Sequence, residues 1–588
     1  MIVRPRELPS RARVVIVGGG VGGAAVAHHL AKLGERDVVL LDRNELTSGS
    51  TFHSAGLVGQ LRSSVSLTQL MVDSVELYRT LDCGWVECGG VRLACTPERE
   101  EEVLRQVAWA KTFGLALELI SAEQARELFP LMATDGVRCG SYLASDGYLD
   151  PSLLTTALID GAREGGCRVF THTRVTGIDV DRGRGGDRVR GVQTEWGPIE
   201  AEVVVNAGGM FAAEIGRMAG VRVPIVPFAH EYLVTQPFLE RAPGEHLPTL
   251  RDPDLLIYFR EEGAGLVMGG YERRSAPWAL DEHLRDAIPQ DFNGRLLEED
   301  WPRFEEIAKN SSKRVPAMDE ITVTKLINGP EAFTPDNEFC LGESEGAGLF
   351  VAAGFCAHGL AGAGGIGKAM SEWILGGEPA SDLWEMDIRR FGAHFRSPGY
   401  TLKRTKEVYE TYYDIRYPGH EREAGRPLRV SSAYRWHAEH GASFGEKSGW
   451  ERVNWYESNA AAGEESLRPR GWAGMHWSPA IGAEHRGTRE RAGLFDESSF
   501  AKLEIAGPGA PAFLERLCDN EIARDLGAII YTQMLNSRGG IECDFTVARL
   551  AEDRFQIVTG TAFGQHDAAW IRRHLPDDGT VTLTDVTS

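Results

Sequence analysis

Gly18, Gly20 and Gly23 form a G-x-G-x-x-G turn between a short apolar run, Val14 to Val17, and an amphipathic stretch, Val21 to Leu33. In such a turn the first glycine permits the tight bend and the second lets the backbone approach a pyrophosphate. The third lets helix pack closely on strand, and the helix N-terminus favours the phosphate charge. Asp42 closes the next apolar run, Val38 to Leu41, near the ~20 residues at which an acidic ribose contact is expected. This is dinucleotide chemistry, and by itself the motif does not choose between a flavin and a nicotinamide. The loop that follows, Thr47 to Leu57, is small and polar with one histidine, His53. A second glycine cluster, Gly354 to Gly365, holds His358 and precedes another amphipathic helix. Turns without side chains at both ends of the fold suggest an extended ligand approached by backbone from two sides. An isoalloxazine ring beside a helix N-terminus fits, because that dipole stabilises a reduced, anionic ring.

The elements that must position these residues begin with a β-α-β unit, which implies a parallel α/β sheet. Val203 to Val205 and Leu349 to Ala352 read as later strands of that sheet. Between them, Glu231 to Thr235 and Leu266 to Gly269 have strand character without intervening helices, the pattern of an inserted antiparallel sheet serving as a substrate lid. The pattern breaks around Gly376 to Pro379, and a polar, aromatic-rich stretch runs to about Tyr434. From Gly449 a new region begins, with strand-like runs at Lys502 to Gly507 and Phe555 to Gly560. The expected domains are therefore 1–378, 379–434 and 435–588.

Bulk properties restrict the partners. The formal net charge of -22 argues against nucleic acid and against anionic lipid, since both need basic surface. No apolar run approaches the ~20 residues that span a bilayer. The first dozen residues are too short and too polar for a signal peptide. The nine cysteines are scattered without a C-x-x-C pair, which fits free thiols in a reducing compartment rather than a disulfide framework or a metal site. Cytoplasm is the expected location, with no bound metal.

Four segments carry a family resemblance: Leu46 to Leu57 (LTSGSTFHSAGL), Val204 to Gly209 (VVNAGG), Gly329 to Asn337 (GPEAFTPDN) and Leu341 to Glu343 (LGE). With them, the sequence from about residue 12 onward resembles the sarcosine dehydrogenase and dimethylglycine dehydrogenase/oxidase family. The resemblance implies a Rossmann-like, D-amino-acid-oxidase-type FAD domain, a short connecting domain and a folate-binding domain similar to the glycine cleavage T-protein (aminomethyltransferase). The fold expected is thus a multidomain combination of α/β and α+β parts. In the family a histidine of the first segment attaches the flavin covalently, and His53 occupies that place. Gly18, Gly20, Gly23, Asp42, Ser50, Thr51, Gly56, Leu57, Val175, Gly208, Gly354, Gly359 and Gly362 complete the expected FAD contacts.

The resemblance further implies that His230, in Pro227 to Tyr232, and Tyr258, in Leu256 to Arg260, face the substrate. An amine must be neutral before its methyl group can give hydride to flavin N5. An imidazole titrating near neutrality can accept that proton, and a phenol can orient the amine. A substrate carboxylate calls for a guanidinium partner, for which Arg62 and Arg260 are the nearest candidates, with His358 near the flavin face. The expected reaction is oxidative N-demethylation of a small N-methyl amino acid, sarcosine ahead of dimethylglycine. An iminium product is hydrolysed to formaldehyde or trapped by tetrahydrofolate, and oxygen or an electron-transfer flavoprotein serves as final acceptor.

Gly449 to Trp455, Arg491 to Asp496, and Tyr531 to Asn536 followed by Gly539 to Asp544 resemble the opening of the T-protein module, where Asp544 takes the place of the pterin-side aspartate. Only the opening part of that domain is expected within the chain, which leaves folate binding open. Two other classes stay in view: a non-catalytic regulatory or scaffold relative, and a folate-dependent aminomethyltransferase.

Overall fold

The computed structural model describes residues 8–183 and 186–587. Its first sheet carries the strand order Cys340–Glu343, Leu349–Ala353, Gly197–Asn206, Arg11–Val17, Val38–Leu41, Arg168–Phe170. Along this order every pair is parallel except the edge pair Cys340–Glu343 with Leu349–Ala353, and Val175–Gly183 and Gly186–Thr194 extend the sheet from Gly197–Asn206 by antiparallel pairing. Strands buried on both faces must be apolar throughout. Val38–Leu41 and Leu349–Ala353 are fully buried along their length. The helices Val21–Lys32, Val65–Tyr78 and Gly359–Gly376 stack on one face, and Trp373, Tyr78 and Leu30 are among the large side chains they bury.

The second sheet has nine strands and is antiparallel, save for the pairing of Thr249–Asp252 with Gly90–Ala94. The expected antiparallel substrate sheet is present, and it draws on more of the chain than the stretch between Val205 and Leu349. Gly90–Ala94, Glu118–Ile120 and Cys139–Leu143 come from before the expected insertion and extend its far side. Their short length and flanking turns gave no clear period in the sequence. At the near side Val226–Thr235 pairs with Val323–Phe333 over ten residues, with His230 opposite Gly329 and Phe228 opposite Glu331. The segment after Gly376 folds into short 3₁₀ turns and the helix Pro398–Glu410, whose Tyr409 stacks on Phe228 of this sheet at 5.2 Å between centroids.

The C-terminal region forms a five-stranded antiparallel sheet. One face is covered by the helices Ala510–Leu517 and Gly564–Arg573 over a core that includes Leu503, Phe545, Phe555 and Ile571. Ile529, Tyr531, Leu535 and Ile541 are exposed, and Asp544 is exposed beside them, its register partner being Gln533. No helix among the described residues is long and apolar enough to cross a membrane. All nine cysteines are free.

Candidate active site

An elongated cavity opens at the C-terminal ends of the parallel strands. It is lined by Gly18, Gly20, Asp42, Ser50, Thr51, Val175, Gly208, Gly354 and Gly359. Gly18 has φ +120°, and a Cβ there would stand 2.3 Å from the Ala207 carbonyl oxygen, so no other residue fits the turn. Two helices, Val21–Lys32 and Gly359–Gly376, begin at this cavity; neither Gly20 nor His358 offers its N-terminus a side-chain cap, although Thr51 takes the first N–H of the former, that of Val21. Uncapped first-turn N–H groups make such a terminus receptive to an anion. Asp42 accepts hydrogen bonds from the Gly19 N–H at 2.6 Å and the Asn44 N–H at 2.8 Å, while desolvation raises its pKa. The loop after it is anchored at two adjacent residues, Ser50 and Thr51. Thr51 accepts from the Val21 N–H at 3.2 Å, and the Ser50 hydroxyl donates to the Pro330 carbonyl at 2.6 Å.

Four expected contacts lie elsewhere. Gly23 faces the Gly18 carbonyl, where a Cβ would come within 2.0 Å, and serves the close helix–strand approach. Gly362 meets Met71 and lets Gly359–Gly376 pack on Val65–Tyr78. Gly56 and Leu57 line the neighbouring cavity instead. A glycine-rich helix start reads alike whether its glycines face a ligand or another helix, which is why the sequence did not separate them.

His53 sits behind the wall formed by Thr51 and Ser54, with 6% of its surface exposed. Its ring lies over Gly329, where a Cβ would stand 2.4 Å from Nδ1, so the glycine of the Gly329–Asn337 segment is what admits the imidazole. Burial lowers its pKa to about 4, which keeps the ring neutral, and its Nε2 has no hydrogen-bond partner. That nitrogen is free to bond a ligand in the adjoining cavity. Together with the glycine cradle, the two helix N-termini and Asp42, it shows that these residues fit an FAD.

A second, larger cavity adjoins the first and shares Ser54, Glu331, Ala357 and Leu360 with it. His230, Tyr258, Tyr271, Tyr412 and His358 form one wall. His230 stacks on Tyr271 at 4.5 Å and Tyr271 on Tyr412 at 4.0 Å between centroids, while the Tyr412 hydroxyl is 3.3 Å from His358 Nε2. An aromatic wall of this kind attracts an ammonium group.

The hydrogen bonds behind the wall assign the His230 tautomer. Tyr409 donates to Glu272 at 3.1 Å, and Glu272 is ion-paired with Arg303. The single Tyr409 proton being used, its oxygen accepts from His230 Nδ1 at 3.3 Å. His230 Nε2 is then the acceptor for the Tyr258 hydroxyl at 3.1 Å, and the phenol oxygen presents its lone pairs to the cavity. The expectation that His230 titrates near neutrality is corrected. Burial, reinforced by the nearby Arg303 charge, pushes its pKa down to about 3, so it stays neutral and acts by orienting Tyr258.

Arg62 lines the same cavity. Its Nε has no partner, and burial with the neighbouring Arg251 lowers its pKa to about 10. Among the described residues neither Arg62 nor Arg251 forms a direct ion pair; Asp146, on the same cavity, acts on both at longer range, and the two guanidinium groups face the cavity. Arg260 does not line either cavity. Its guanidinium is taken by the Ala55 and Glu261 carbonyls and by Glu262, which removes it from the substrate candidates. His358 faces the cavity, with its pKa well below the ordinary value through burial and the Arg62 charge. Asp544 stands on the C-terminal sheet, outside both cavities, within reach of Tyr531, whose pKa it raises.

Sequence reasoning missed Glu331, Arg251, Tyr271, Tyr409 and Tyr412. A signal existed for two of them: the run Glu407 to Asp414 packs three tyrosines into a connecting segment otherwise polar.

Comparison with known proteins places this site. Residues 13–373 match the family described as FAD dependent oxidoreductase, residues 376–431 the FAD dependent oxidoreductase central domain, and residues 433–588 the GCVT N-terminal domain. The chain therefore belongs to the FAD-dependent oxidoreductases. It is 35% identical to mitochondrial dimethylglycine dehydrogenase of Rattus norvegicus, over 96% of this chain and 66% of the relative. The 4-methylaminobutanoate oxidase (formaldehyde-forming) of Paenarthrobacter nicotinovorans is 35% identical, over 96% of this chain and 68% of that protein. Mitochondrial sarcosine dehydrogenase of Homo sapiens is 33% identical, over 97% and 66%. Within the oxidoreductases the chain is a member of the sarcosine and dimethylglycine dehydrogenase family. It spans 66% of the length of those two dehydrogenases. Among solved structures, an L-proline dehydrogenase from P. horikoshii superposes with a TM-score of 0.58 at 27% identity, over 65% of this chain and 98% of that one.

Proposed function

We propose that this chain oxidises the N-methyl group of a small N-methyl amino acid, with FAD bound in the first cavity through His53. The observation that carries the reading is the arrangement of the second cavity, where the Tyr258 oxygen, oriented by His230, and the Tyr271–Tyr412 stack adjoin the FAD cavity. When bound, the flavin supplies the two-electron acceptor for the methyl C–H bond. The protein's part is to hold the amine against that acceptor. The Tyr258 oxygen accepts a hydrogen bond from the amine, the tyrosine wall shelters its positive charge, and Arg62 with Arg251 holds a carboxylate. Hydrolysis of the iminium product gives formaldehyde and the demethylated amine. Asp544 is the residue proposed to face tetrahydrofolate if that ligand intercepts the iminium. The free thiols support a reducing compartment, and oxygen or an electron-transfer flavoprotein is the proposed acceptor.

Substrate choice among sarcosine, dimethylglycine and 4-methylaminobutanoate is not separated by identities of 33% to 35%. Turnover of these three, measured as formaldehyde released, tests the proposal together with an Arg62→Gln variant. Loss of a charge-assisted contact of ~1.5–3 kcal/mol is expected to raise KM for carboxylate-bearing amines roughly 10- to 100-fold with kcat little changed. A methylated amine without a carboxylate is expected to show no difference between the two proteins. Equal KM values for sarcosine in both would remove Arg62 from the site.

A further inference from the structure

We infer that Glu331 is the group that takes the proton from the incoming ammonium, a role resting on the amine-oxidising reading above. Of the four residues that line both cavities, Ser54, Glu331, Ala357 and Leu360, it alone has an ionisable side chain. Its position follows from the strand. Side chains two apart share a face, and Gly329, two residues earlier, is the residue over which the His53 ring lies. Glu331 therefore projects on the His53 side of Val323–Phe333, toward the seam between cofactor and substrate.

Its surroundings hold no counter-charge. The one hydrogen bond to the carboxylate comes from the Tyr271 hydroxyl at 3.4 Å, and among the described residues no arginine, lysine or histidine pairs with it. The other ionisable groups that feel it are Tyr232, Tyr258, Tyr409, Tyr412 and Glu272, all uncharged or anionic. Desolvation, opposed by the Tyr271 bond and reinforced by Glu272, pushes its pKa up to about 7. Such a group is matched to proton transfer at neutral pH. His230 is not, because it is held neutral with both ring nitrogens in hydrogen bonds.

The step balances without an external reagent. The ammonium N–H bond breaks, its electron pair stays on nitrogen, and the proton forms an O–H bond on the Glu331 carboxylate. The products are a neutral amine, ready for oxidation, and a neutral carboxylic acid at the seam. Carboxylate and ammonium attract before transfer, and the tyrosine wall accommodates the cation until then.

The test compares wild type with Glu331→Gln, each as the flavin-loaded chain. For wild type, kcat/KM for sarcosine or dimethylglycine is expected to rise with pH through the ionisation of Glu331 and then level. In the glutamine variant it is expected to fall about 100-fold at neutral pH. It then recovers about tenfold per pH unit as the amine loses its own proton. Glu331→Asp, which restores a carboxylate, is expected to recover part of the loss. Burial also pushes the pKa of Glu231 and of Glu338 up to about 7, so the infrared readout, independent of turnover, is the wild-type minus Glu331→Gln double difference, which should hold one protonated-carboxyl C=O band titrating near pH 7. An unchanged pH profile in Glu331→Gln overturns the inference. If wild type oxidises none of the amines, the functional reading fails by itself. The infrared titration then decides whether Glu331 exchanges a proton near neutrality, and a missing band overturns that too.

Discussion

In a His53→Ala protein, acid precipitation is expected to leave all of the flavin in the supernatant, while the wild-type pellet stays yellow. The expectation rests on one unpaired atom. His53 Nε2 is buried without a partner, beside a cavity whose glycine turn, acidic residue and helix N-termini fit FAD. An unpaired buried polar atom costs about 1–3 kcal/mol, a cost that a flavin bonded at Nε2 would relieve. The ring is also held neutral by burial, which leaves a nitrogen lone pair for bonding to a flavin carbon. Alanine removes the bond-forming atom and leaves a space, yet the pyrophosphate turn at Gly18 and the contacts of Asp42 are untouched. The variant should therefore still bind flavin, now releasably. Fluorescence of pellet and supernatant reads the difference. Flavin wholly in the wild-type supernatant would make the attachment non-covalent.

Tyr258→Phe is expected to lower kcat/KM roughly 10- to 100-fold, the loss of a hydrogen bond to a charged group worth ~1.5–3 kcal/mol. The ring stays in place, since Tyr258 is 5% exposed and packed in the apolar core of the second sheet. What is lost is the hydroxyl between His230 Nε2 and the cavity. Two consequences follow from that single atom. The amine loses the oxygen that accepts its N–H. His230 loses the bond on Nε2 while Nδ1 remains committed to Tyr409, so a buried acceptor is left unpaired at about 1–3 kcal/mol. Flavin content should be unchanged, which separates this effect from a collapse of the site. Steady-state kinetics alongside the visible spectrum checks both. A loss under tenfold would show that the phenol only fills space.

The parts of this site that sequence made legible are those built from backbone. Gly18, Gly20 and Asp42 could be read because a pyrophosphate turn admits few residue types, and the surrounding strands because burial on both faces demands apolar runs. Side chains that converge from separated segments were not legible from spacing. Glu331 lay inside a segment whose family likeness was plain, but nothing in the order of residues shows that it alone carries charge at the seam of two cavities. Tyr409 and Tyr412 come from a helix and turn beyond residue 376, and only the packing of that segment on Phe228 and Tyr271 brings them to the substrate wall. Arg62 and Arg260 looked alike as guanidinium donors. What separates them is accessibility, since the carbonyls of Ala55 and Glu261 and the carboxylate of Glu262 already use Arg260. His230 was identified by its family position, but its buried, doubly hydrogen-bonded ring gives it an orienting role that its residue type did not suggest.

The central claim, that an N-methyl amino acid gives up its electrons in the cavity walled by His230 and Tyr258, is tested most directly by anaerobic mixing of the flavin-loaded wild type with excess dimethylglycine, sarcosine or 4-methylaminobutanoate. Loss of the flavin's visible absorbance in a single turnover with at least one of them, and none with glycine, is the predicted result. A yellow protein whose spectrum stays unchanged with all three would contradict the account, leaving a flavin-binding fold that does not oxidise these amines.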